Sequence, residues 1–460
     1  MARGKKTAKE LTPEEKLAQA LVPIEEQPYQ IPENWCWTYM NRVAQWGSGG
    51  TPSRKNPEYY KGYIPWIKTG ELNDGYVYDT EEKITDEAIA CSSAKIFPAN
   101  TIAIAMYGAT IGKVGILGME AATNQACACG ICLEALAYKF LFYYARSQKG
   151  AFIGKAKGGA QPNISQEIIK THFIPLPPLA EQQRIVDRIE SIFAKLDEAK
   201  EKAQEVVDGF EMRKSAILHK AFTGELTEKW RKEHGVMLES WENLCLNDVA
   251  AYKKGPFGSS ITKAMFVPKG ESTYKVYEQG NAIRKTSQYG NYYISEKKYN
   301  ELRGFSVRAG DIIISCAGTI GEVFKLPDDC EEGIINQALM RVRLFPNIIE
   351  QFFIYYFSEV LLGDINDKSN GTAIKNIPPF KILKAMKIKL PPLKEQEKIV
   401  SILEQMLQKE QQAKEAAEVV IAQIDTMKKA VLARAFRGEL GTNDPEEESA
   451  MELLKSVINL

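Results

Sequence analysis

The chain contains a second copy of part of itself. The run PPLAEQQRIV, from Pro177 to Val186, returns as PPLKEQEKIV from Pro391 to Val400. The endings match as well, AILHKAFTGEL (Ala216 to Leu226) against AVLARAFRGEL (Ala430 to Leu440). One offset of 214 positions links the two fifty-residue stretches without a gap. A duplicated segment of this length predicts a pseudo-twofold molecule in which a monomer imitates a dimer. The 460 residues, at about 150 per domain, suggest roughly three units.

Within the first copy, Ile185, Ile189, Ile192, Leu196, Ala199, Ala203, Val206, Phe210 and Ile217 step by four and three, interrupted only by Arg213. The second copy has Ile399, Leu403, Met406, Ala413, Ala417, Val420, Ile424, Met427 and Val431, with Glu410 as its flaw. Apolar residues at a mean spacing of 3.5 mark a coiled-coil seam, so the two helices should zip together. Each starts after a Pro-Pro pair and stops near a glycine, Gly224 or Gly438, as start and stop signals require. At 1.5 Å per residue each would run roughly 65 Å.

The stretches before the helices carry short β-branched and aromatic runs broken by Gly, Pro and Asn, such as Thr101 to Leu117 and Gly310 to Leu326. They read as strands joined by tight turns. Thr110-Ile111-Gly112 aligns with Thr319-Ile320-Gly321, and Asn124-Gln125-Ala126 with Asn336-Gln337-Ala338, so the globular parts are duplicated too. By contrast, Gly47 to Leu72 has only a distant echo in Gly255 to Ile283. Constant spacers should therefore hold two variable readers. The expected fold is mixed α/β, with two similar globular domains at 31–176 and 241–390, and helical regions at 177–226 and 391–440. An N-terminal extension (1–30), a linker (227–240) and a tail (441–460) complete the chain. Thr12 to Leu21 and Asp444 to Leu460 each read as a short amphipathic helix with an acidic start, docking on this protein or on a partner.

Composition sets the class. Hydrophobic residues make up 44% and charged ones 26%, as in an ordinary soluble protein. No stretch approaches a membrane span, and eight irregularly spaced cysteines suit reduced thiols; a cytoplasmic protein without disulfides is expected. Net charge is zero, which excludes a uniformly basic nucleic-acid binder. The excess is about +2 over 31–175 and about +4 over 241–390, so phosphate contacts must come from local patches.

The repeated PP-L-x-E-Q-x-x-I-V helix starts, the A-F-x-G-E-L ends and the run Gly224 to Arg231, GELTEKWR, closely resemble the specificity subunits of type I restriction-modification enzymes. The resemblance covers nearly the whole chain, from the WCW segment at Trp35 to Trp37 onward. It implies two target recognition domains, each reading one half of a bipartite double-stranded DNA sequence, held apart by two helices that bind partner subunits. Those partners would be two methyltransferase subunits, which carry S-adenosylmethionine, and restriction or translocase subunits, which use ATP and Mg2+. No cofactor or metal is expected in this chain, and no catalysis. A stiff helix pair suits this task, because half-sites on one duplex must be met at a fixed separation and helical phase. A coiled-coil scaffold that does not touch DNA is the alternative.

Motifs of catalysis fail on spacing. Gly108 to Lys113 has three residues between its glycines where a phosphate-binding loop needs four, and Val114 stands where Ser or Thr should. It reads as a turn between strands. Asn376-Ile377-Pro378-Pro379-Phe380 departs from the Asn-Pro-Pro-Phe loop of adenine methyltransferases by the inserted Ile377 and reads as a turn as well. Cys127, Cys129 and Cys132 lack a fourth ligand at metal spacing and suit a buried strand. Three histidines, His172, His219 and His234, leave little room for a triad.

Recognition is left, and bidentate side chains on loops discriminate bases while amides and lysines position phosphates. In the first domain the candidates are Ser48, Thr51, Ser53, Arg54, Lys55, Lys68 and Thr69, with Gln161 and Asn163 from the Gly158 to Asn163 loop. In the second they are Lys253, Lys254, Ser259, Ser260, Gln279, Asn281, Arg284 and Lys285, with Asn370, Thr372 and Lys375. Asn124-Gln125 and Asn336-Gln337 occur in both domains, and readers of different half-sites should not share residues. Their side-chain amides are expected to close a strand turn.

Overall fold

The computed structural model describes residues 12–158, 162–361 and 379–458, with no side-chain account of 359–361. The chain divides into two compact units, Met1–Ala203 with Val419–Leu460, and Gln204–Glu418.

Unit 1 is built on two sheets. The first runs in the order Ala44–Ser48, Cys127–Cys132, Ile102–Ala105, Val114–Leu117 and Tyr76–Val77, antiparallel except for its last pair. The second runs Lys83–Ile84, Ile64–Ile67, Ala121–Thr123, Ile96–Phe97, with its central pair parallel. A separate ribbon pairs Cys36–Tyr39 with Phe173–Leu176, tying the domain's entry to its exit. Ile102–Ala105 is buried along its whole length, as its unbroken apolar run requires.

Unit 2 repeats this topology with one strand fewer. Its first sheet runs Ala250–Lys254, Leu339–Leu344, Ile312–Ser315, Val323–Lys325, and its second Tyr293–Ser295, Thr273–Tyr277, Gly333–Ile335, Ser306–Val307, again with a parallel central pair. Glu242–Cys245 and Lys387–Leu390 form the equivalent ribbon. Among the described residues, Tyr76–Val77 is the strand of unit 1 without a counterpart.

The repeated Glu-Gln of the helix starts has a definite role. Gln182 accepts from the Ala137 N–H (2.8 Å) and donates to the carbonyls of Ala135 and Pro177. Gln396 accepts from the Ile349 N–H (2.7 Å) and donates to those of Asn347 and Pro391. One buried amide thus fastens each long helix to the loop preceding a short helix of its own globular domain. The preceding glutamates are buried too. Glu395 accepts from the Thr227 hydroxyl (2.7 Å), the Arg231 guanidinium (2.7 Å) and the Trp241 indole (2.9 Å). Glu181 accepts from Thr442 (2.8 Å) and Arg184 (3.0 Å), and Arg184 also grips Glu447.

The helix from the second copy is continuous over Leu393–Ala435, 43 residues. The first is not the single rod expected. It runs Leu179–Asp208, is interrupted at Gly209, and resumes over Phe210–Thr223. Arg213 donates to the Val206 carbonyl at 2.8 Å, satisfying an acceptor at the interruption. A Cβ on Gly209 would meet that guanidinium at 2.5 Å, so glycine lets the side chain fold back over the backbone. The same arginine binds Glu410 at 2.7 Å: the two flaws in the heptad patterns are partners. In unit 1 Asp197 pairs with Lys428, and Lys200 with Asp425 at 3.8 Å. In each unit the two helical segments therefore run antiparallel. Ile185, Ile189, Ala203, Phe210, Ile217, Ile399, Leu403, Ala417 and Ile424 are buried as their spacing predicts. Ala199, Ala413, Val420 and Met427 are exposed, because two helices cover only one stripe of each other. Gly224 (φ 88°) and Gly438 (φ 76°) end the helices in the left-handed region, which glycine adopts without steric cost.

Pro13–Ala20 and Ala450–Val457 both pack on the unit 1 core through Leu17, Ala20, Ala450 and Leu454. The docking left open by the sequence is on this chain. Asn34 donates to the Asp444 carbonyl (2.9 Å), and Trp35 donates to Asn443 (3.3 Å).

His172 lies in the same core, packed on Phe152, with Lys155 Nζ at 3.3 Å and Gln148 Oε1 at 3.2 Å. Burial, seconded by Lys155, lowers its pKa to about 4. The unfolded chain, with an ordinary histidine near 6.5, takes up the proton first, so stability is full above pH 6.5 and falls as pH drops from 6.5 to 4. The loss between pH 7 and 5 should be about 2 kcal/mol. Thermal melts of the wild type and His172→Gln at both pH values test this, and an equal pH dependence in the two proteins would refute it.

Candidate nucleic-acid interface

Each domain presents a glycine-containing loop after its first sheet strand, seated on the turn that carries the shared Asn-Gln pair. In unit 1 the Gly50 N–H donates to the Thr123 carbonyl at 2.9 Å, and a Cβ on Gly49 would stand 1.9 Å from that oxygen. In unit 2 a Cβ on Gly255 would stand 1.8 Å from the Asn336 carbonyl. Backbone lies directly on backbone at both places, which glycine alone permits. Asn124 Oδ1 accepts from the Ala126 N–H (3.2 Å), and Asn336 Oδ1 from the Ala338 N–H (3.0 Å), so the asparagines close the turns as expected. The glutamines do otherwise: Gln125 and Gln337 are exposed, and Gln125 accepts from the Thr51 hydroxyl.

In unit 1, Ser48 ends the strand Ala44–Ser48, while Thr51, Ser53 and Lys55 are exposed on the loop. Arg54 is engaged within the protein. It binds Glu82 through two bonds (2.6 and 3.2 Å) and lies 4.0 Å over the Tyr60 ring. Lys68 reaches Glu81 (2.7 Å) and the same Glu82 (3.2 Å). The Arg54 hydrogen bond, with Lys68 assisting, holds the Glu82 carboxyl below its usual range, so this cluster keeps its charges at neutral pH. Thr69 opens the adjoining turn of helix. Asn163 is exposed and bridges Tyr107 and Lys157 across its loop.

In unit 2, Lys253 and Lys254 are exposed at the end of Ala250–Lys254, with Lys253 over the Phe305 ring at 4.8 Å. Ser259 and Ser260 follow on the glycine loop. Gln279 approaches the Gly318 turn, and Lys285 (φ 51°) reaches Glu322 and the Val323 carbonyl, both at 2.7 Å. The two residues therefore flank the Thr319 to Gly321 turn on its two sides. Arg284 is exposed, 4.9 Å over Tyr289. Asn281 corrects the sequence reading. It is fully buried, accepts from the Glu278 N–H (2.8 Å) and donates to the carbonyls of Thr286 and Tyr289. It frames its loop and presents nothing to a ligand. Gln161, Asn370, Thr372 and Lys375 lie outside the described residues, as do Asn376, Ile377 and Pro378.

Two groups escaped the sequence reading. Phe257 is 87% exposed at the tip of the unit 2 loop, and its only signal was the flanking glycines and proline. Tyr107 is half exposed beside Asn163. Cys127 and Cys129 point into one core and Cys132 toward another. Burial raises all three thiols, Cys129 and Cys132 to about 12, so they pack rather than react. Gly108 and Gly112, at φ 62° and 75°, form a turn between the strands Ile102–Ala105 and Val114–Leu117.

Two spans of the chain, 32–207 and 238–419, match the family model of the type I restriction modification DNA specificity domain. The type I restriction enzyme EcoKI specificity subunit of Escherichia coli strain K12 is 24% identical over 461 residues, covering 93% of this chain and 96% of that protein. The MjaIX specificity subunit of Methanocaldococcus jannaschii is 32% identical over 184 residues, 39% of this chain and 42% of that one. Among solved structures, the HsdS subunit from Thermoanaerobacter tengcongensis superposes with a TM-score of 0.63 at 19% identity, over 90% of this chain and all of that one. The duplicated topology, the divergent loops and these matches over most of the sequence agree: the chain belongs to the family of type I restriction-modification DNA specificity subunits.

Proposed function

We propose that this chain is the address-reading, non-catalytic subunit of a type I restriction-modification complex, with each globular domain reading one half of a bipartite duplex target. The observation that carries the reading is one scaffold used twice with different loops on it. The same glycine-on-turn seat presents Thr51, Ser53 and Lys55 in one domain and Phe257, Ser259 and Ser260 in the other, so two base sequences can be read from one frame. Lys68, Thr69 and Asn163 flank the first loop, and Lys253, Lys254, Gln279 and Arg284 the second. The helices dock two methyltransferase subunits and the restriction subunits. S-adenosylmethionine, ATP and Mg2+ belong to those partners.

Methylome sequencing of the host with and without this chain tests the reading. A bipartite adenine-methylated motif should vanish on deletion, and persistence of every methylated motif would refute the proposal.

A further inference from the structure

A cleft of about 670 Å³ in unit 1 lies between the helices Tyr138–Ser147 and Lys149–Gly154 and the last turns of Leu393–Ala435. Four cations line it, Arg146, Lys149, Lys428 and Lys429, against the carboxylates of Asp74 and Asp425. The acids are already engaged: Asp425 pairs with Lys200, and Asp74 accepts from the Val114 N–H at 3.1 Å. Lys428 pairs with Asp197 and lies 5.1 Å from the Phe193 ring, with the Arg146 guanidinium 5.4 Å from the same ring. Arg146, Lys149 and Lys429 form no ion pair among the described residues. Four cations against two carboxylates leave the lining with an excess of positive charge, in a chain whose net charge is zero.

The cleft adjoins the candidate interface. A Cβ on Gly112 would meet Lys149 Cγ at 3.0 Å, so the Gly108 to Lys113 turn lies against the lysine stem. The Gly108 N–H in turn donates to the Pro162 carbonyl at 2.9 Å, and Tyr107 bridges to Asn163. The cations thus continue the surface of the loop that carries Asn163.

We infer that this cleft takes the phosphate backbone of the bound duplex, through Arg146, Lys149 and Lys429. The inference rests on the proposed DNA-reading function and assigns these residues to positioning rather than base choice. A phosphate contact strengthens binding to every sequence alike and steepens its salt dependence, by about 0.9 in the log-log slope for each phosphate neutralised. Lys428 is held by Asp197 and Phe193 and maintains the cleft wall.

The test uses the complex with its methyltransferase subunits and a fluorescein-labelled duplex carrying the motif found by methylome sequencing. Anisotropy titrations run between about 50 and 200 mM KCl. The triple variant Arg146→Gln, Lys149→Gln, Lys429→Gln should show a slope shallower by about 2 to 3. Its preference for the motif over a scrambled duplex should be unchanged. Should the triple variant fold poorly, Lys429→Gln alone, at an exposed position, should lower the slope by about 1. An unaltered slope beside normal wild-type binding overturns this inference and leaves the DNA-reading function standing. Loss of the methyltransferase subunits from the variant also overturns it, since the cleft would then face an acidic protein surface. Absence of salt-dependent duplex binding by the wild type overturns the DNA-reading function itself, and this inference with it.

Discussion

Replacing Glu395 with alanine should destabilise unit 2 by about 3 to 5 kcal/mol, the cost of stranding a buried charge without its partner. Three donors converge on this carboxylate from the segment after the first helix, those of Thr227, Arg231 and Trp241. Glu395 has no exposed surface and the Arg231 side chain only 8%, so water cannot replace what is removed. The equivalent change at Glu181 should cost less, roughly 1 to 2 kcal/mol. Its Arg184 partner is 39% exposed and keeps Glu447 at 2.7 Å. Urea denaturation followed by hydrogen exchange at the start of Leu393–Ala435 separates the two. Equal losses at Glu181 and Glu395 would show that the donors around Glu395 contribute nothing specific. Adding Arg231→Met to Glu395→Ala should restore part of the loss, because no unpaired cation then remains.

The pair Arg213 and Glu410 should behave in the opposite way, gaining from complete removal. By the 214-residue offset Arg213 corresponds to Met427 and Glu410 to Leu196, so the other copy carries apolar residues at both of these positions. Arg213→Met alone leaves the Val206 carbonyl without its donor and Glu410 without its cation. A loss of about 1 to 2 kcal/mol is expected, the low end for such pairs because both side chains keep some contact with water. Arg213→Met with Glu410→Leu should return stability to the wild-type level or above it. A double-mutant cycle measures the coupling, and a value below about 0.5 kcal/mol, the scatter of independent sites, would sink the argument. The natural pair then has another use: a single charged contact within an apolar seam admits one alignment of the helices and penalises a slip by a turn.

The helices were legible because their information is local. Pro-Pro starts, glycine stops and a heptad seam need no distant partner, and Gly224 and Gly438 occupy the conformations that their positions announced. The duplication carried the topology in outline, and the turns at Asn124 and Asn336 followed from their pairing. What could not be read depends on residues far along the chain. Arg54 and Lys68 looked free until Glu82 was placed between them. Asn281 looked like a reader because burial is decided by the loop from Thr286 to Tyr289 folding over it. Arg213 and Glu410 looked like two defects, since nothing local says that positions 197 apart will meet. The tail gave an amphipathic helix, but its seat on the unit 1 core is set by Asn34 and Trp35 at the other end of the chain.

Unit 1 takes its pieces from both ends of the sequence, while unit 2 is one continuous stretch. On the ribosome the second recognition domain can therefore be finished while the first still lacks Leu432, Phe436 and Leu454, which complete its core. Until those codons are translated, Phe140 and Tyr144 lack the Phe436 ring that packs edge-on against both, and a nascent chain with such an uncovered patch is a client for chaperones. The helix Ala450–Val457 acts as a latch on manufacture: a message truncated before it yields a sound second reader and an unfinished first one.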